Sequence, residues 1–293
     1  MIKQADKWNK KDYELLDCSD GQRLERWGKY LLVRPDPQVV WSDMKKDAAW
    51  RRPDATYKRS SSGGGAWGEN KLPEEWQIAY EPLGMKFVIR PMGFKHTGVF
   101  PEQASNWETC SALIKNAGRK ISVLNLFAYT GGATLACAKA GASVCHVDAA
   151  KGMVATAREN AALSGLSDAP IRWIVDDCRA FVEREIRRGH TYDAVIMDPP
   201  SYGRGPNGQT WKLEDDIHSL IKLVSGVLSD YPLFFLVNSY TAGLSPNTMG
   251  YMLSSSLCER YGGSVDAYET GIPVKDSGLV LPSGSSALWI NNK

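Results

Sequence analysis

Short apolar runs alternate with longer segments of mixed polarity over the C-terminal two thirds of the chain. The apolar runs are residues 123–127, 144–148, 171–175, 194–198 and 233–237. None of them alternates with polar residues, which is typical of strands buried on both faces. The segments between them are rich in helix-forming residues, and several end at glycines. Strands that alternate with helices in this way predict a parallel sheet covered by helices on both faces.

Right-handed crossovers make such a sheet doubly wound, and its ligands are expected at the carboxyl ends of the strands. After Gly262 the pattern changes, and residues 264–268 and 287–290 predict a terminal antiparallel pair joined by a loop rich in Gly, Pro and Ser. The sequence therefore predicts an α/β domain over residues 96–293.

Residues 1–95 have a different pattern of apolar and polar residues, which predicts a small, mainly β domain. Strands are predicted at 13–18 and 28–34, with polar residues 19–22 between them. Residues 76–80 and 86–90 predict a hairpin. Residues 51–65 contain too many Gly and Ser for regular structure and predict a mobile loop.

The composition is that of an ordinary globular protein, with 293 residues, 43% hydrophobic and 23% charged. No apolar run approaches the ~20 residues of a membrane helix, and the first six residues lack the apolar segment of a secretory signal. The six cysteines have no paired C-x-x-C spacing, and the four histidines have no metal-ligand spacing. We therefore expect a cytoplasmic protein without a membrane segment or a metal site.

The charge is unevenly distributed although the net value is only +2. Residues 1–100 contain 18 Lys and Arg against 14 Asp and Glu, and the remainder contains 17 against 19. Six of the ten tryptophans also lie in this first part. A basic, Trp-rich segment favours a polyanionic partner, whereas tryptophans that fill a core or a domain interface explain the same pattern without one.

Candidate ligand-binding residues follow four of the predicted strands. The first strand leads into a Gly-Gly helix start that offers free N–H groups; we assign to the ligand the residues Phe127, Ala128, Tyr129, Thr130 and Gly131. Asp148 ends the second strand, where a carboxylate can accept both hydroxyls of a ribose. Asp177 follows the third strand and can accept from an adenine amino group. Dinucleotide sites carry G-x-G-x-x-G, which is absent here, so S-adenosylmethionine is the preferred ligand.

The fourth strand ends in Asp198, Pro199, Pro200, Ser201 and Tyr202. Prolines have no N–H, so this turn presents hydrogen-bond acceptors with a fixed φ. Acceptors are needed to hold an exocyclic –NH₂ group with its lone pair aimed at a methyl donor. Each aspartate could alone be a turn or N-cap residue, but their occurrence at successive strand ends favours methyl transfer.

These motifs resemble the class I S-adenosylmethionine-dependent methyltransferases, and more narrowly the bacterial large-subunit ribosomal RNA methyltransferases. The resemblance covers residues 90–293 and implies a Rossmann-like, mostly parallel, seven-stranded sheet and an RNA partner. Family members have a Thr-Gly segment before the sheet, here Thr97 to Gln103, which implies that Gln103 lies near the methionine moiety. In this hypothesis Asp177 and the Cys178 backbone bind adenine, and the N-terminal β region contacts RNA.

One departure from the family concerns the acceptor atom. Relatives that methylate a cytosine ring carbon use a cysteine in the loop after the fifth strand, and residues 237–243 contain none. The sequence therefore favours an exocyclic amine of an unpaired base, stacked on Tyr202 with the loop 203–208 closing over it. Two alternatives remain: a methyltransferase acting on a small molecule or protein, and a non-catalytic RNA-binding protein with a vestigial cofactor fold.

Overall fold

The computed structural model describes residues 1–42, 45–60, 64–68, 71–93, 95–204, 210–241 and 243–292. Within them the strands are β1 (Ile2–Gln4), β2 (Tyr13–Ser19), β3 (Gln22–Trp27), β4 (Tyr30–Pro35), β5 (Ala55–Arg59), β6 (Gly65–Gly68), β7 (Trp76–Tyr80), β8 (Met85–Ile89), β9 (Ser122–Leu126), β10 (Ser143–Asp148), β11 (Ile171–Val175), β12 (Ala194–Met197), β13 (Tyr202–Arg204), β14 (Thr210–Lys212), β15 (Phe234–Ser239), β16 (Ser264–Pro273) and β17 (Val280–Ile290). The helices are α1 (Ala104–Asn116), α2 (Gly132–Lys139), α3 (Lys151–Leu163), α4 (Cys178–Arg188), α5 (Leu213–Ser225), α6 (Pro246–Leu253) and α7 (Glu259–Tyr261).

These elements form two compact units. The larger unit contains Met1–Lys3, Asn106–Thr270 and Gly284–Lys293, and the smaller unit contains Gln4–Ser105 and Gly271–Ser283. The boundary follows Ser105, ten residues beyond the division predicted at residue 95. Gly271–Ser283, which comprises the end of β16, the connection and the start of β17, also belongs with the N-terminal residues, which no local sequence pattern indicates.

The larger unit is built on a sheet of order β1-β16-β17-β15-β12-β9-β10-β11. Strands β9, β10, β11, β12 and β15 pair in parallel, and β17 is antiparallel to β15. The strand order reverses between β9 and β12, as in a doubly wound fold. The predicted α/β class and its antiparallel end are therefore confirmed, and β1 adds an eighth strand to the seven expected.

Strand β12 shows why its sequence lacks polar alternation. Val195 and Met197 belong to one buried cluster, which includes residues of α4 and α5. Ala194 and Ile196 belong to a second cluster, which includes residues of α1 and α2. Both faces of the strand are covered, so all four positions are apolar and buried.

The smaller unit contains a sheet of order β2-β3-β4-β5-β6 and the separate pair β7-β8. The hairpin predicted around residues 76–90 is confirmed. Strand β3 was missed, and the prediction of an irregular segment over 51–65 is wrong for β5 and Gly65. Residues 61–63 of that segment lie outside the described residues.

The reason that β3 escaped prediction is its charged interior. Glu25 is fully buried and accepts from Arg34 Nε at 2.6 Å, Arg34 Nη2 at 2.8 Å and the Tyr13 hydroxyl at 2.8 Å. Burial alone would raise the pKa of Glu25, but Arg23 and Arg34 with these hydrogen bonds lower it to about 2. Partners on neighbouring strands make the charge tolerable, and a single-strand pattern cannot reveal them.

The tryptophans of the N-terminal part are packed or hydrogen-bonded within this unit. Trp27 is fully buried, and Trp41, Trp67 and Trp8 donate to backbone carbonyl oxygens at 2.9 to 3.0 Å. Packing therefore accounts for their abundance, and they lend no support to a polyanionic partner.

None of the helices in the described part of the chain has the length and apolar character required to cross a membrane.

Candidate active site

The carboxyl ends of the central strands lie level with one another. Leu126 of β9 pairs with Val147 of β10 and with Met197 of β12. Phe127, Asp148 and Asp198 directly follow these three paired residues, so they lie side by side at the carboxyl ends of three adjacent strands. Neighbouring strands are ~4.8 Å apart, so the backbones at Asp148 and Asp198 are separated by roughly 10 Å, with Phe127 between them.

The β9–α2 loop, residues 127–131, has an unusual backbone. Phe127 and Tyr129 have φ values of 54° and 49°, and Gly131 has 88°. The left-handed region costs a non-glycine residue about 1–2 kcal/mol. Such backbone strain is concentrated at ligand-binding and catalytic sites.

Asp148 holds this loop through its carboxylate. Oδ2 accepts from the Tyr129 N–H at 2.8 Å, and Oδ1 accepts from the Ala150 N–H at 2.8 Å. Burial raises the pKa of Asp148, and the two backbone hydrogen bonds oppose that rise. Each carboxylate oxygen has a second lone pair, so the side chain can accept two hydroxyl groups as predicted for a ribose.

The two glycines at the start of α2 are explained by packing. A Cβ on Gly131 would lie 3.1 Å from the Ala157 Cβ, and one on Gly132 would lie 2.6 Å from Trp107 Cζ2. Packing against side chains of α3 and α1 therefore explains why glycine stands at both positions. The N–H groups of the first helical turn have no intrahelical partner whichever residue stands there.

The third strand end contains a helix cap. Asp177 is exposed and is the N-cap of α4, with Oδ1 accepting from the Ala180 N–H at 2.9 Å. Asp176 forms an ion pair with Arg184. Capping occupies one oxygen of Asp177, and Oδ2 is the atom to which we assign the predicted adenine contact.

Cys178 joins two strand ends in a way that the sequence analysis missed. Its thiol accepts from the Phe127 N–H at 3.3 Å and lies 3.9 Å from the Val147 carbonyl oxygen, to which it donates. Burial raises the pKa of this thiol, so it stays neutral. The side chain thus fixes the start of the β9–α2 loop against β10.

The Asp-Pro-Pro turn, residues 198–202, is held by residues from later in the chain. Trp211 Nε1 donates to the Pro200 carbonyl oxygen at 2.6 Å. The Thr241 hydroxyl donates to Ser201 Oγ at 2.6 Å. Pro199 is buried, Asp198 is half-buried, and 54% of Tyr202 is exposed.

The loop after β15 presents hydroxyls that already have structural partners. Ser239 is buried, and its Oγ accepts from the Thr241 N–H at 3.1 Å. Thr241 in turn bonds to Ser201, so these groups tie the loop to the Asp-Pro-Pro turn. Ala242 lies outside the described residues.

Gln103 belongs to the smaller unit, whereas the other predicted site residues belong to the larger one. It is buried at the end of the 3₁₀ helix Pro101–Gln103, and its proximity to the methionine moiety stays a prediction. In the loop 203–208, Gly203 and Arg204 are part of β13, and residues 205–208 lie outside the described residues.

Trp211 and Thr241 are site residues that sequence reasoning did not find. Trp211 lies opposite Gly203 in the β13–β14 ribbon. The glycine-rich segment between these strands suggested a loop, and only the pairing of two three-residue strands brings Trp211 back to the turn.

The chain is similar to known methyltransferases. The model of a family described as S-adenosylmethionine-dependent methyltransferase matches residues 53–232. A crystal structure of a SAM-dependent methyltransferase from Agrobacterium tumefaciens is 36% identical, with a TM-score of 0.89, covering 98% of this chain and 93% of that one.

Two curated relatives from Shewanella have narrower names. Ribosomal RNA large subunit methyltransferase K/L of Shewanella frigidimarina is 28% identical over 76% of this chain and 35% of the relative. Ribosomal RNA large subunit methyltransferase I of Shewanella denitrificans is 32% identical over 43% of this chain and 31% of the relative. The chain thus spans about a third of the length of these relatives.

Proposed function

Because the chain belongs to the family of S-adenosylmethionine-dependent methyltransferases, we propose that it methylates an exocyclic amine of a base in large-subunit ribosomal RNA. The observation that carries this proposal is the level arrangement of strand ends. It sets the Asp-Pro-Pro turn beside the β9–α2 loop, with Asp148 on the far side of that loop. A donor bound along the loop then has an acceptor site at one end.

The residues at these strand ends fit S-adenosylmethionine. Asp148 accepts the ribose hydroxyls, while Asp177 Oδ2 and the Cys178 N–H bind adenine. The residues assigned to the rest of the donor are Phe127, Ala128, Tyr129, Thr130, Gly131, Asp198 and, at the methionine moiety, Gln103. The polar groups at the strand ends are carboxylates and backbone groups, and the sequence has no phosphate-binding motif there. Such a site suits a cationic ligand that has no pyrophosphate.

When bound, S-adenosylmethionine supplies a methyl group on a positively charged sulfur, which keeps the electron pair of the broken C–S bond. The residues of the chain position the acceptor. The Asp198 carboxylate and the Pro199 carbonyl accept hydrogen bonds from the two N–H groups of the amine, so the lone pair of its nitrogen points at the methyl carbon. The nitrogen gains one bond to carbon and loses one proton to solvent. Orientation of this kind supplies most of the acceleration.

Nucleic acid as the acceptor is supported by exposed basic residues of the smaller unit. Their side chains are Arg51, Arg52, Lys58 and Arg59. Exposed Tyr202 can stack on an unpaired base, which is worth ~1–3 kcal/mol per base. The curated relatives are named as ribosomal RNA large subunit methyltransferases. All six cysteines are free thiols, in keeping with the cytoplasmic location that we propose.

The decisive experiment is mass spectrometry of ribosomal RNA nucleosides from cells with and without the protein. We expect one N-methylated nucleoside to disappear and to return with the wild-type chain. Asp198→Ala should not restore it, whereas Asp198→Asn, which keeps one acceptor oxygen, should restore it in part. Asp215→Ala, at an exposed carboxylate of α5, is the matched control and should restore it fully.

Other outcomes would point elsewhere. Unchanged ribosomal RNA together with measurable S-adenosylmethionine binding would favour a small-molecule or protein acceptor. If the wild-type chain does not bind S-adenosylmethionine, the result would favour a non-catalytic RNA-binding protein. Full activity of Asp198→Ala would remove the role assigned to that carboxylate.

The RNA contact is tested by the salt dependence of binding to ribosomal RNA fragments. Each neutralised phosphate contributes about 0.7 to the slope of log K against log salt for single strands. Replacing Arg51, Arg52, Lys58 and Arg59 by Ala should therefore reduce the slope by about 3. Ala replacements at four exposed basic residues of the larger unit serve as the control: Lys115, Lys120, Arg187 and Lys222.

A further inference from the structure

Trp211 contacts both sides of the candidate active site. Its Nε1–H donates to the Pro200 carbonyl oxygen at 2.6 Å. Its ring lies 6.4 Å from the Phe127 ring, centroid to centroid, with 34° between the planes. Phe127 begins the β9–α2 loop and Pro200 lies in the Asp-Pro-Pro turn, so one side chain connects the two segments.

The β13–β14 ribbon determines which side chains can share this role. Trp211 pairs with Gly203, and the next pair along the ribbon is Tyr202 with Lys212. Side chains of successive residues point to opposite faces of a strand. Trp211 is therefore on one face, against Phe127 and Pro200, while Tyr202 and Lys212 share the other face. A Cβ at Gly203 would lie 3.8 Å from the Trp211 Cβ, an ordinary van der Waals contact.

We propose that Trp211 is a positioning residue for methyl transfer, which fixes the Asp-Pro-Pro turn relative to the cofactor-binding β9–α2 loop. This inference rests on the proposed function. The indole N–H occupies the Pro200 carbonyl, so Asp198 and the Pro199 carbonyl are the acceptors directed at the amine. The ring contact with Phe127 holds those acceptors at a set distance from the donor.

The hydrogen bond from Thr241 to Ser201 is a second restraint on the same turn. It leads to the loop after β15 and makes no link to the β9–α2 loop. Loss of the Trp211 bond should therefore leave the turn folded but free to shift relative to the donor. A shift of about 1 Å can reduce the rate of transfer by about 100-fold.

The test compares Trp211→Phe with the wild-type chain. Phenylalanine keeps a ring for the Phe127 contact and removes the N–H. We expect kcat to fall 10- to 100-fold, while the Kd for S-adenosylmethionine and the KM for RNA change less than twofold. Trp41→Phe is the matched control, because Trp41 is also half-buried and donates to a backbone carbonyl, that of Cys18, at 3.0 Å in the smaller unit. It should leave kcat unchanged.

A second measurement does not depend on the acceptor. Hydrogen exchange of the peptide covering residues 198–204 should slow when S-adenosylhomocysteine binds to the wild-type chain. In Trp211→Phe this protection should disappear, while protection of residues 127–131 remains. The loss of coupling is a readout that a purely structural role of Trp211 would not produce.

Each outcome decides the inference. A variant with wild-type kcat and wild-type protection overturns it, and so does one whose cofactor affinity falls as much as its rate. If the wild-type chain transfers no methyl group to ribosomal RNA, the proposed function fails, and the exchange comparison still decides whether Trp211 couples the two segments.

Discussion

Asp148→Asn is the sharpest test of the cofactor site. The carboxylate accepts one backbone N–H on each oxygen, from Tyr129 and Ala150, both at 2.8 Å. An amide has one acceptor oxygen, so its –NH₂ group would face one of these N–H groups. The bound ribose also loses a charged acceptor. A hydrogen bond to a charged group contributes about 1.5–3 kcal/mol, so the Kd for S-adenosylmethionine should rise roughly 10- to 150-fold.

Isothermal titration calorimetry at fixed pH and salt measures this change. Asp193→Asn is the matched control, because Asp193 also accepts a backbone N–H, from Ser122 at 2.8 Å. It directly precedes β12, at the amino ends of the central strands, whereas the candidate site lies at their carboxyl ends. Its replacement should therefore lower stability without changing the Kd. Unchanged affinity in Asp148→Asn would refute the ribose assignment. An equal loss in both variants would show that general destabilisation, not the lost contact, weakens binding.

Three further predictions concern the fold. Gly131→Ala and Gly141→Ala both place alanine in the left-handed region, at φ 88° and 95°, but only the first brings a Cβ within 3.1 Å of another side chain. Urea unfolding should therefore show that Gly131→Ala lowers the free energy of unfolding by about 1 kcal/mol more than Gly141→Ala does. Since the pKa of Glu25 falls from 4.5 to about 2 on folding, the smaller unit should lose stability as the pH drops through this range. Glu25→Gln should reduce that dependence and cost about 3–5 kcal/mol at neutral pH, while Asp47, whose pKa is also lowered, keeps part of the dependence. Hydrogen exchange of β3 peptides between pH 2 and 7 measures both effects. Iodoacetamide should label half-buried Cys258 in the native chain, and mass spectrometry should find the buried thiols unmodified until denaturant is added: Cys18, Cys110, Cys137, Cys145 and Cys178.

The sequence predicted the larger unit well because its central strands are buried on both faces. Such strands are short, uninterrupted apolar runs, and β12 (Ala194–Met197) begins as predicted and ends one residue earlier than predicted. Where a strand depends on partners far along the chain, prediction failed. Arg23 and Glu25 are typical of surface residues in the sequence, and only the pairing with Arg34 of β4 explains their burial. Strand β3 was therefore not predicted.

In the candidate site, too, the residues set by local sequence were predicted and those that depend on distant contacts were not. Asp148 and Asp198 follow directly from strand ends, and the register of the sheet brings them to one edge. The hydrogen bonds of Trp211 and Thr241 cross 11 and 40 residues to reach the Asp-Pro-Pro turn, and no periodicity encodes such contacts. The N-cap role of Asp177 was one of the local alternatives for an aspartate at a strand end, and it coexists with the adenine contact that we propose.

The backbone of the β9–α2 loop matters for anyone who engineers this chain as a methylation reagent. Thermostabilisation schemes favour Gly or Asn wherever another residue has positive φ, and they would select Phe127 and Tyr129 at once. Both side chains belong to the surface that we assign to the donor. Such replacements would raise the melting temperature and slow turnover, so these two positions should be exempt from any stabilising library.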